Sequence, residues 1–257
     1  MRKGKRRYLF LLGIIIVLTV AGYFLMTGGM PLKDGTKLGN NRVTMVVDKF
    51  IAAYLVELVD GGVILIDATM DPNATAIKSS LAKLNKSDGD VVGILFTHGH
   101  GDHIAGALSF PNAKIYVLAP DADLVEGKRV ANSVVGRFRD PELTGITVTN
   151  ALSDGDVFSI GGTKIKVFSV PGHTLGSAAY LVYGVLFLGD SAAATSVGTV
   201  GGAPPIFSAD RKRSNVSLRR LARHLNETPE DKVETLAFGH QGPLTGLAPL
   251  LDWAFGG

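Results

Sequence analysis

The chain has 257 residues, of which 46% are hydrophobic and 19% charged, a composition that excludes an intrinsically disordered protein. It contains no cysteine, which excludes disulfide frameworks, cysteine-ligated metal centres and thiol nucleophiles. The formal net charge is +3, but five cations lie within the first seven residues, so the remainder is nearly neutral and gives no reason to expect nucleic-acid binding.

The N-terminus combines a basic cluster with a long apolar run. Residues 8–26 are uncharged and mostly apolar, and as a helix they would span roughly 28 Å at about 1.5 Å per residue, which matches a bilayer core. We therefore expect residues 1–28 to form a cytoplasmic basic tail and a transmembrane signal anchor, which places the rest of the chain outside the cytoplasm. Cleavage of this segment would instead release a secreted protein. Residues 29–42, rich in glycine, are expected to form a tether, and residues 43–257 the folded domain.

After this tether, patterns typical of strands and helices alternate. Apolar or alternating runs predict strands over residues 43–47, 51–59, 63–67, 91–96, 114–118 and 234–238. Hairpins are predicted within residues 156–170 and 178–188, and helices over residues 74–84 and 216–225. Many hairpins combined with helices predict an α/β fold with a mixed sheet or a sandwich.

Three of the six histidines lie in one short segment directly after a predicted buried strand. The segment reads Thr-His-Gly-His-Gly-Asp-His. In an extended chain, residues i and i+2 point to the same side, so His98 and His100 can bind one ion together. A turn after the second glycine would present Asp102 and His103 in another direction, which suits a second ion. Neutral imidazoles with a carboxylate form a ligand set suited to zinc and similar divalent metals.

This segment is an H-x-H-x-D-H motif, and the chain from about Val43 onward resembles the metallo-β-lactamase superfamily of hydrolases. Three further landmarks of that superfamily follow in the right order: Pro-Gly-His-Thr at residues 171–174, Leu-Gly-Asp at 188–190 and Gly-His at 239–240. The resemblance implies the four-layer αββα sandwich of the family and two divalent metal ions, with Zn²⁺ as the default metal.

The resemblance also assigns the ligands of the two ions. One ion is expected on His98, His100 and His173. The second ion is expected on Asp102, His103 and His240, with Asp190 in contact with both ions.

Asp67 ends one of the predicted strands and has two interpretations. In the family, an acid at this point lies beneath the metal site and orients the ligands, and Asp67 matches it. An equally good account is an aspartate at the end of a strand that hydrogen-bonds to its own turn.

Comparison with individual branches of the family narrows the expectations for the substrate. His100 stands where the flavodiiron branch has glutamate. The stretch after His240 is shorter than the helical substrate domain of glyoxalase II-like thioesterases. His103 and Asp190 differ from the arginine and cysteine of one main class of zinc β-lactamases. These comparisons identify no single substrate.

The function implied by the resemblance is a metal-dependent hydrolase. A hydroxide that bridges the two metals would attack an ester, lactone, amide or related carbonyl of a small-molecule substrate. Asp102 is the predicted catalytic residue, because it would move a proton in addition to binding metal. A phosphodiesterase and a non-catalytic, membrane-tethered metal-binding domain remain as alternatives. No nucleic-acid partner is expected, and the sequence does not predict an oligomeric state.

Two later stretches also have more than one interpretation. Residues 191–210 contain several glycines and prolines and predict either a wall of the substrate cleft or a plain surface loop. Six cations within residues 211–223 predict a solvated helix face, with contact to anionic lipid headgroups as the next interpretation. His224, the one histidine outside the family pattern, is predicted to lie at the surface.

Overall fold

The structure is a computed structural model that describes residues 29–256. Its first sheet contains seven strands: β1 (Lys37–Leu38), β2 (Val43–Asp48), β3 (Ile51–Glu57), β4 (Val63–Ile66), β5 (Val91–Leu95), β6 (Lys114–Leu118) and β7 (Asn150–Leu152). The strands lie side by side in chain order. Strands β1 to β4 pair antiparallel and β4 to β7 pair parallel, so the sheet is mixed.

The remaining eight strands are β8 (Val157–Ile160), β9 (Thr163–Ser169), β10 (Ala178–Val182), β11 (Val185–Phe187), β12 (Ala192–Ala194), β13 (Val200–Gly202), β14 (Thr235–Ala237) and β15 (Leu244–Thr245). Six of them form a second sheet in the order β15-β14-β11-β10-β9-β8, while β12 and β13 form a separate hairpin. In the second sheet only the β11–β14 pair is parallel. This one parallel pair places the C-terminal ends of β11 and β14 beside each other.

Within residues 29–256, five α-helices accompany the sheets: α1 (Thr75–Lys83), α2 (Gly101–Ile104), α3 (Ala122–Val125), α4 (Arg211–Glu227) and α5 (Ala248–Phe255). Helix α4 begins where the Asp210 side chain accepts a hydrogen bond from the backbone N–H of Arg213. Leu218, Leu221, Ala222 and Leu225 recur on one side of the helix and are buried, whereas Val216 and the cations of the predicted solvated face are exposed. His224 is exposed on this helix, as predicted.

Three hydrophobic cores lie between the successive layers of helices and sheets. The core between the two sheets includes Tyr54, Val167, Tyr180 and Phe187. A second core lies between the first sheet and α1 and includes Leu55, Leu65, Ile77 and Leu81. A third lies between the second sheet and α4 and α5 and includes Leu186, Leu218, Leu221 and Leu250. Helices, sheet, sheet and helices therefore stack in that order, and the predicted α/β sandwich with mixed sheets is confirmed.

Residues 29–42, predicted to be a tether, instead pack against the domain. Gly29 forms a β-bridge with Thr195, and the backbone N–H of Met30 donates to the carbonyl of Ala194. Further along, β1 adds an edge strand to the first sheet, and Leu38 packs against the core between the sheets. These backbone hydrogen bonds hold residues 29–42 on the domain.

The predicted signal anchor, residues 1–28 with its apolar run at 8–26, lies outside the described residues. Within residues 29–256, no helix combines the length and the apolar composition needed to span a membrane.

Candidate metal centre

Seven histidine and aspartate side chains, here called the His/Asp cluster, meet at one end of the sandwich. They come from four segments, each of which follows the C-terminal end of a strand. The segment after β5 carries four of them, two in its loop and two in the short helix α2, and the loops after β9, β11 and β14 carry one each. The members are His98, His100, Asp102, His103, His173, Asp190 and His240. Every residue that the sequence predicted for the metal site is therefore in this cluster.

Backbone pairing between the sheet strands positions these loops. The backbone N–H of Gly239 donates to the carbonyl of Gly189 across the parallel β11–β14 pair, which brings the neighbouring Asp190 and His240 together. In the first sheet, the buried strand β5 leads into Thr97, and His98 and His103 are fully or almost fully buried. The cluster thus joins both sheets.

His98, His100 and His173 form one compact group. The Nε2 atom of His173 lies 3.2 Å from Nε2 of His98 and 2.9 Å from Nδ1 of His100. Three ring nitrogens this close would share one cation if each neutral ring turns a lone pair towards it. The three atoms have the spacing of a metal-binding group.

Asp102, His103 and His240 form a second group of the same kind. The Oδ2 atom of Asp102 lies 3.5 Å from Nε2 of His240 and 4.0 Å from Nε2 of His103. Two imidazoles and one carboxylate suit a divalent metal such as zinc.

Asp190 lies between the two groups. Its Oδ2 atom is 3.2 Å from Nε2 of His240 and 3.7 Å from Nε2 of His173, and its Oδ1 atom is 3.5 Å from Nε2 of His103. It therefore faces histidines of both groups, as expected for a carboxylate shared by two ions.

Hydrogen bonds on the opposite ring nitrogens orient His103 and His240 towards the cluster. Nδ1–H of His103 donates to Oδ2 of Asp67 at 2.8 Å, and Nδ1–H of His240 donates to the carbonyl of Phe50 at 2.9 Å. The Phe50 ring also stacks on the His240 ring, with 5.8 Å between centroids. Both Nε2 atoms thereby face the cluster, and each is an acceptor when its ring is neutral.

His98 and His173 are oriented in the same way by hydroxyl groups. The Thr97 hydroxyl donates to Asp67 at 2.8 Å and accepts from Nδ1–H of His98 at 3.1 Å. The Ser208 hydroxyl donates to a backbone carbonyl and accepts from Nδ1–H of His173 at 3.1 Å. Asp67 therefore supports two ligand-type histidines, which selects the first of its two interpretations. Ser208 also places one end of the segment 191–210 against the cluster.

A buried nitrogen without a hydrogen-bond partner shows that the cluster fits a cation. Nε2 of His103 has no hydrogen-bond partner among the described residues and no access to solvent. Leaving a buried polar atom unsatisfied is costly, and a metal ion among His103, Asp102 and Asp190 would satisfy it.

Burial and charge divide the histidines into two electrostatic types. Burial holds the pKa of His98 and His173 well below the usual histidine value and also lowers that of His100, so these rings are neutral at pH 7. Burial acts in the same direction on His103 and His240. There, however, neighbouring carboxylates outweigh burial and raise both pKa values: Asp67 and then Asp190 act on His103, and Asp190 acts on His240.

Several residues of the site carried no recognisable sequence signal. Thr97, Ser208 and Phe50 touch the histidines, and Asp121 hydrogen-bonds to the loops that carry them. Each is a single residue of a common type outside any spaced pattern, so only the fold reveals its role. For Thr97, its position directly before the motif was the one available hint.

A two-sheet α/β sandwich with histidines and aspartates gathered at strand ends defines a metal-dependent class of hydrolases. The chain belongs to the Metallo-beta-lactamase superfamily, whose family model matches residues 46–240.

Relatives that match in sequence include proteins named hydroxyacylglutathione hydrolase. A hydroxyacylglutathione hydrolase of Aeromonas hydrophila is 30% identical over 152 residues, which cover 58% of this chain and 49% of the relative. A hydroxyacylglutathione hydrolase of Vibrio campbellii is 34% identical over 123 residues, which cover 48% of this chain and 41% of the relative. The chain thus spans about half the length of the curated relatives that it matches.

Solved structures show the same fold. A subclass B3 metallo-beta-lactamase of Bradyrhizobium japonicum superimposes with a TM-score of 0.64 at 21% identity, over 91% of this chain and 93% of that one. A beta-lactamase from Chitinophaga pinensis gives a TM-score of 0.62 at 20% identity, over 88% of each chain. At this level of identity, the likeness establishes the fold alone.

Proposed function

We propose that this member of the superfamily is a two-metal hydrolase that acts on the carbonyl group of a small-molecule ester, thioester, lactone or amide. The observation that carries the proposal is the convergence of two complete ligand groups at one end of the sandwich, with Asp190 between them. A non-catalytic binding domain would need neither the second group nor the shared carboxylate.

The proposed first site consists of His98, His100 and His173. The proposed second site consists of Asp102, His103 and His240, with Asp190 contacting both ions. Zinc is the metal we propose, because neutral imidazoles and carboxylates at this spacing are its usual oxygen and nitrogen ligands.

When bound, the two ions would supply Lewis acidity and lower the pKa of a water molecule towards 7. The chain itself would position the reacting groups. The Asp102 side chain is 35% exposed whereas that of Asp190 is 9% exposed, so Asp102 can reach both the proposed second site and a substrate proton. The Phe50 ring, 41% exposed and stacked on His240, offers an apolar surface beside this site for part of the substrate.

The thioester is our preferred substrate within this class, because the relatives that match in sequence are named hydroxyacylglutathione hydrolase. The test is a side-by-side panel of thioester, lactone, aryl ester, β-lactam and phosphodiester substrates with the full-length, zinc-loaded protein. His98→Ala and Asp190→Ala serve as controls. Turnover of a carbonyl substrate that both variants lose supports the proposal. Turnover of the phosphodiester alone identifies a phosphodiesterase, and two bound metals without any turnover favour a binding domain.

We also propose that residues 1–28 anchor the protein in a membrane, with the domain on the extracytoplasmic side. The basic cluster followed by the apolar run at 8–26 supports this proposal. Because Gly29 and Met30 pair with the domain, the anchor would join it without a free linker. Carbonate extraction of cell membranes and N-terminal sequencing of the mature protein test it. A soluble product that begins near residue 29 would show cleavage instead.

A further inference from the structure

Asp121 is a buried aspartate outside the His/Asp cluster that hydrogen-bonds to two of the cluster's loops. Its Oδ2 atom accepts from the backbone N–H of Gly99 at 3.0 Å, and its Oδ1 atom accepts from the backbone N–H of Gly176 at 2.9 Å. Gly99 separates His98 from His100, and Gly176 lies three residues after His173. One side chain therefore joins the two loops that carry the whole of the proposed first site.

Both glycines approach the segment around Asp121 too closely to carry a side chain. A Cβ atom on Gly176 would lie 2.5 Å from the backbone nitrogen of Asp121, and one on Gly99 would lie 2.8 Å from Cγ of Leu124. Neither glycine has a left-handed backbone, so close contact rather than conformation explains their identity. The two loops and the segment that carries Asp121 are thus packed together as a unit.

A cation balances the charge of the buried carboxylate. Asp121 is fully buried, and an Nη2 atom of Arg129 lies 3.1 Å from its Oδ1 atom. The same guanidinium donates to the carbonyl of Pro120, which fixes it beside Asp121. An ionised carboxylate only accepts hydrogen bonds, so pairing with Arg129 keeps both oxygens available to the two loops.

We propose that Asp121 is a positioning residue for the first metal site: it sets the separation between the His98–His100 loop and the His173 loop. This inference rests on the proposed two-metal function. The second site has different supports, Asp67 behind His103 and the Phe50 carbonyl behind His240. Asp121 is therefore expected to affect the first site more than the second, whose Asp102 and His103 lie further along the loop that Gly99 begins.

Asp121→Asn tests the role with little change in size. It replaces one acceptor oxygen by an NH₂ group that faces a backbone N–H, so one of the two loops is released. We expect the zinc affinity of the first site to fall about 10–100-fold, as is typical when a residue that orients metal ligands is changed. Asp123→Asn is the matched control, because it removes the same charge from an exposed side chain two residues away. We expect it to leave both affinities unchanged.

Zinc competition against a chromophoric chelator, with the full-length protein, resolves the two affinities. The same titration in a His240→Ala background, which weakens the second site, reports on the first. If Asp121→Asn, both alone and in the His240→Ala background, binds zinc at the first site as tightly as its parent protein, the inference is wrong. Zinc binding by the wild-type protein is measured first. A wild-type protein that binds no zinc would overturn the proposed function rather than this inference.

Two further measurements separate positioning from a general effect on stability. Amide hydrogen exchange of the metal-free protein should be faster at Gly99 and Gly176 in Asp121→Asn but unchanged in α1. If Asp121→Asn does not fold, Arg129→Gln provides the test, since it removes the guanidinium that holds the Asp121 carboxylate between the two loops. A weaker first site in Arg129→Gln supports the inference, and unchanged zinc binding contradicts it.

Discussion

Asp67 and His103 are joined by a 2.8 Å hydrogen bond between two buried side chains, and the same carboxylate also accepts from the backbone and hydroxyl of Thr97. Through Thr97 it reaches Nδ1 of His98, so one aspartate orients histidines of both proposed sites. It does so from a left-handed backbone, with φ at 59°.

Asp67→Asn should weaken zinc binding about 10–100-fold at the second site, because the amide removes the charge that holds His103 in place. The fold should survive, since asparagine adopts left-handed backbone readily. Zinc titration beside circular dichroism measures both effects. Asp140→Asn, an exposed aspartate, is the control, and equal zinc affinities in the two variants would disprove this role of Asp67.

Metal binding should release protons, mostly from the second site. The pKa values of His103 and His240 are raised, so in the metal-free protein these rings keep their second proton up to a higher pH than ordinary histidines, whereas burial keeps His98, His100 and His173 neutral. A histidine must lose its proton to bind metal, so the second site should weaken more steeply as the pH falls. Calorimetry in buffers of different ionisation enthalpy counts the released protons. Equal pH dependence of the two sites would contradict this assignment.

Gly239→Ala should disrupt the cluster while Gly101→Ala leaves it intact. A Cβ atom on Gly239 would lie 2.4 Å from Oδ1 of Asp190 and 2.7 Å from the His103 ring. A Cβ atom on Gly101 would meet nothing within 4 Å, although this residue lies inside the motif. We expect the first variant to lose tightly bound zinc and the second to keep it. Metal analysis after gel filtration distinguishes the two, and loss of zinc in Gly101→Ala would count against this geometry.

Two buried tyrosines should stabilise the sandwich, because each hydroxyl donates a hydrogen bond from one sheet to a backbone carbonyl at the end of a strand in the other sheet. The hydroxyl of Tyr54, in the first sheet, donates to the carbonyl of Phe238 at 2.7 Å, and that of Tyr180, in the second, donates to the carbonyl of Phe96 at 2.8 Å. Tyr54→Phe or Tyr180→Phe leaves a buried carbonyl without its partner, which costs about 1–3 kcal/mol of unfolding free energy.

Denaturant unfolding of the metal-free protein measures this loss. Tyr23→Phe, in the apolar run before the domain, offers a comparison in which the domain's own stability should not change. Tyrosine variants as stable as the wild type would show that these hydrogen bonds contribute little.

The sequence predicts the strands that form the centres of the sheets, because their runs of buried residues are long enough to be recognised. The strands β1, β7, β12, β13 and β15 contain only two or three residues each, too few to show a period, so they were missed. The local sequence pattern also does not encode which strands are neighbours. Nothing within residues 185–187 or 235–237 indicates that these two strands pair in parallel.

The cluster itself was predicted because its members occur in a spaced motif and in glycine-containing turns. Asp121 was missed because its two hydrogen bonds go to backbone N–H groups, which any residue could supply. The two glycines of the motif differ from each other, since Gly99 closely approaches Leu124 whereas Gly101 has neither a left-handed backbone nor a close neighbour. Close contact, which the sequence does not encode locally, decides which glycines are required.

The His/Asp cluster draws four of its side chains from the segment after β5 and the other three from loops of the second sheet, ending at His240. On the ribosome, the chain therefore exposes the first four long before the last one is made. A nascent chain that ends before β14 has no complete second group to hold an ion. Metal acquisition is thus expected to follow the joining of the two sheets, as one of the last events of maturation.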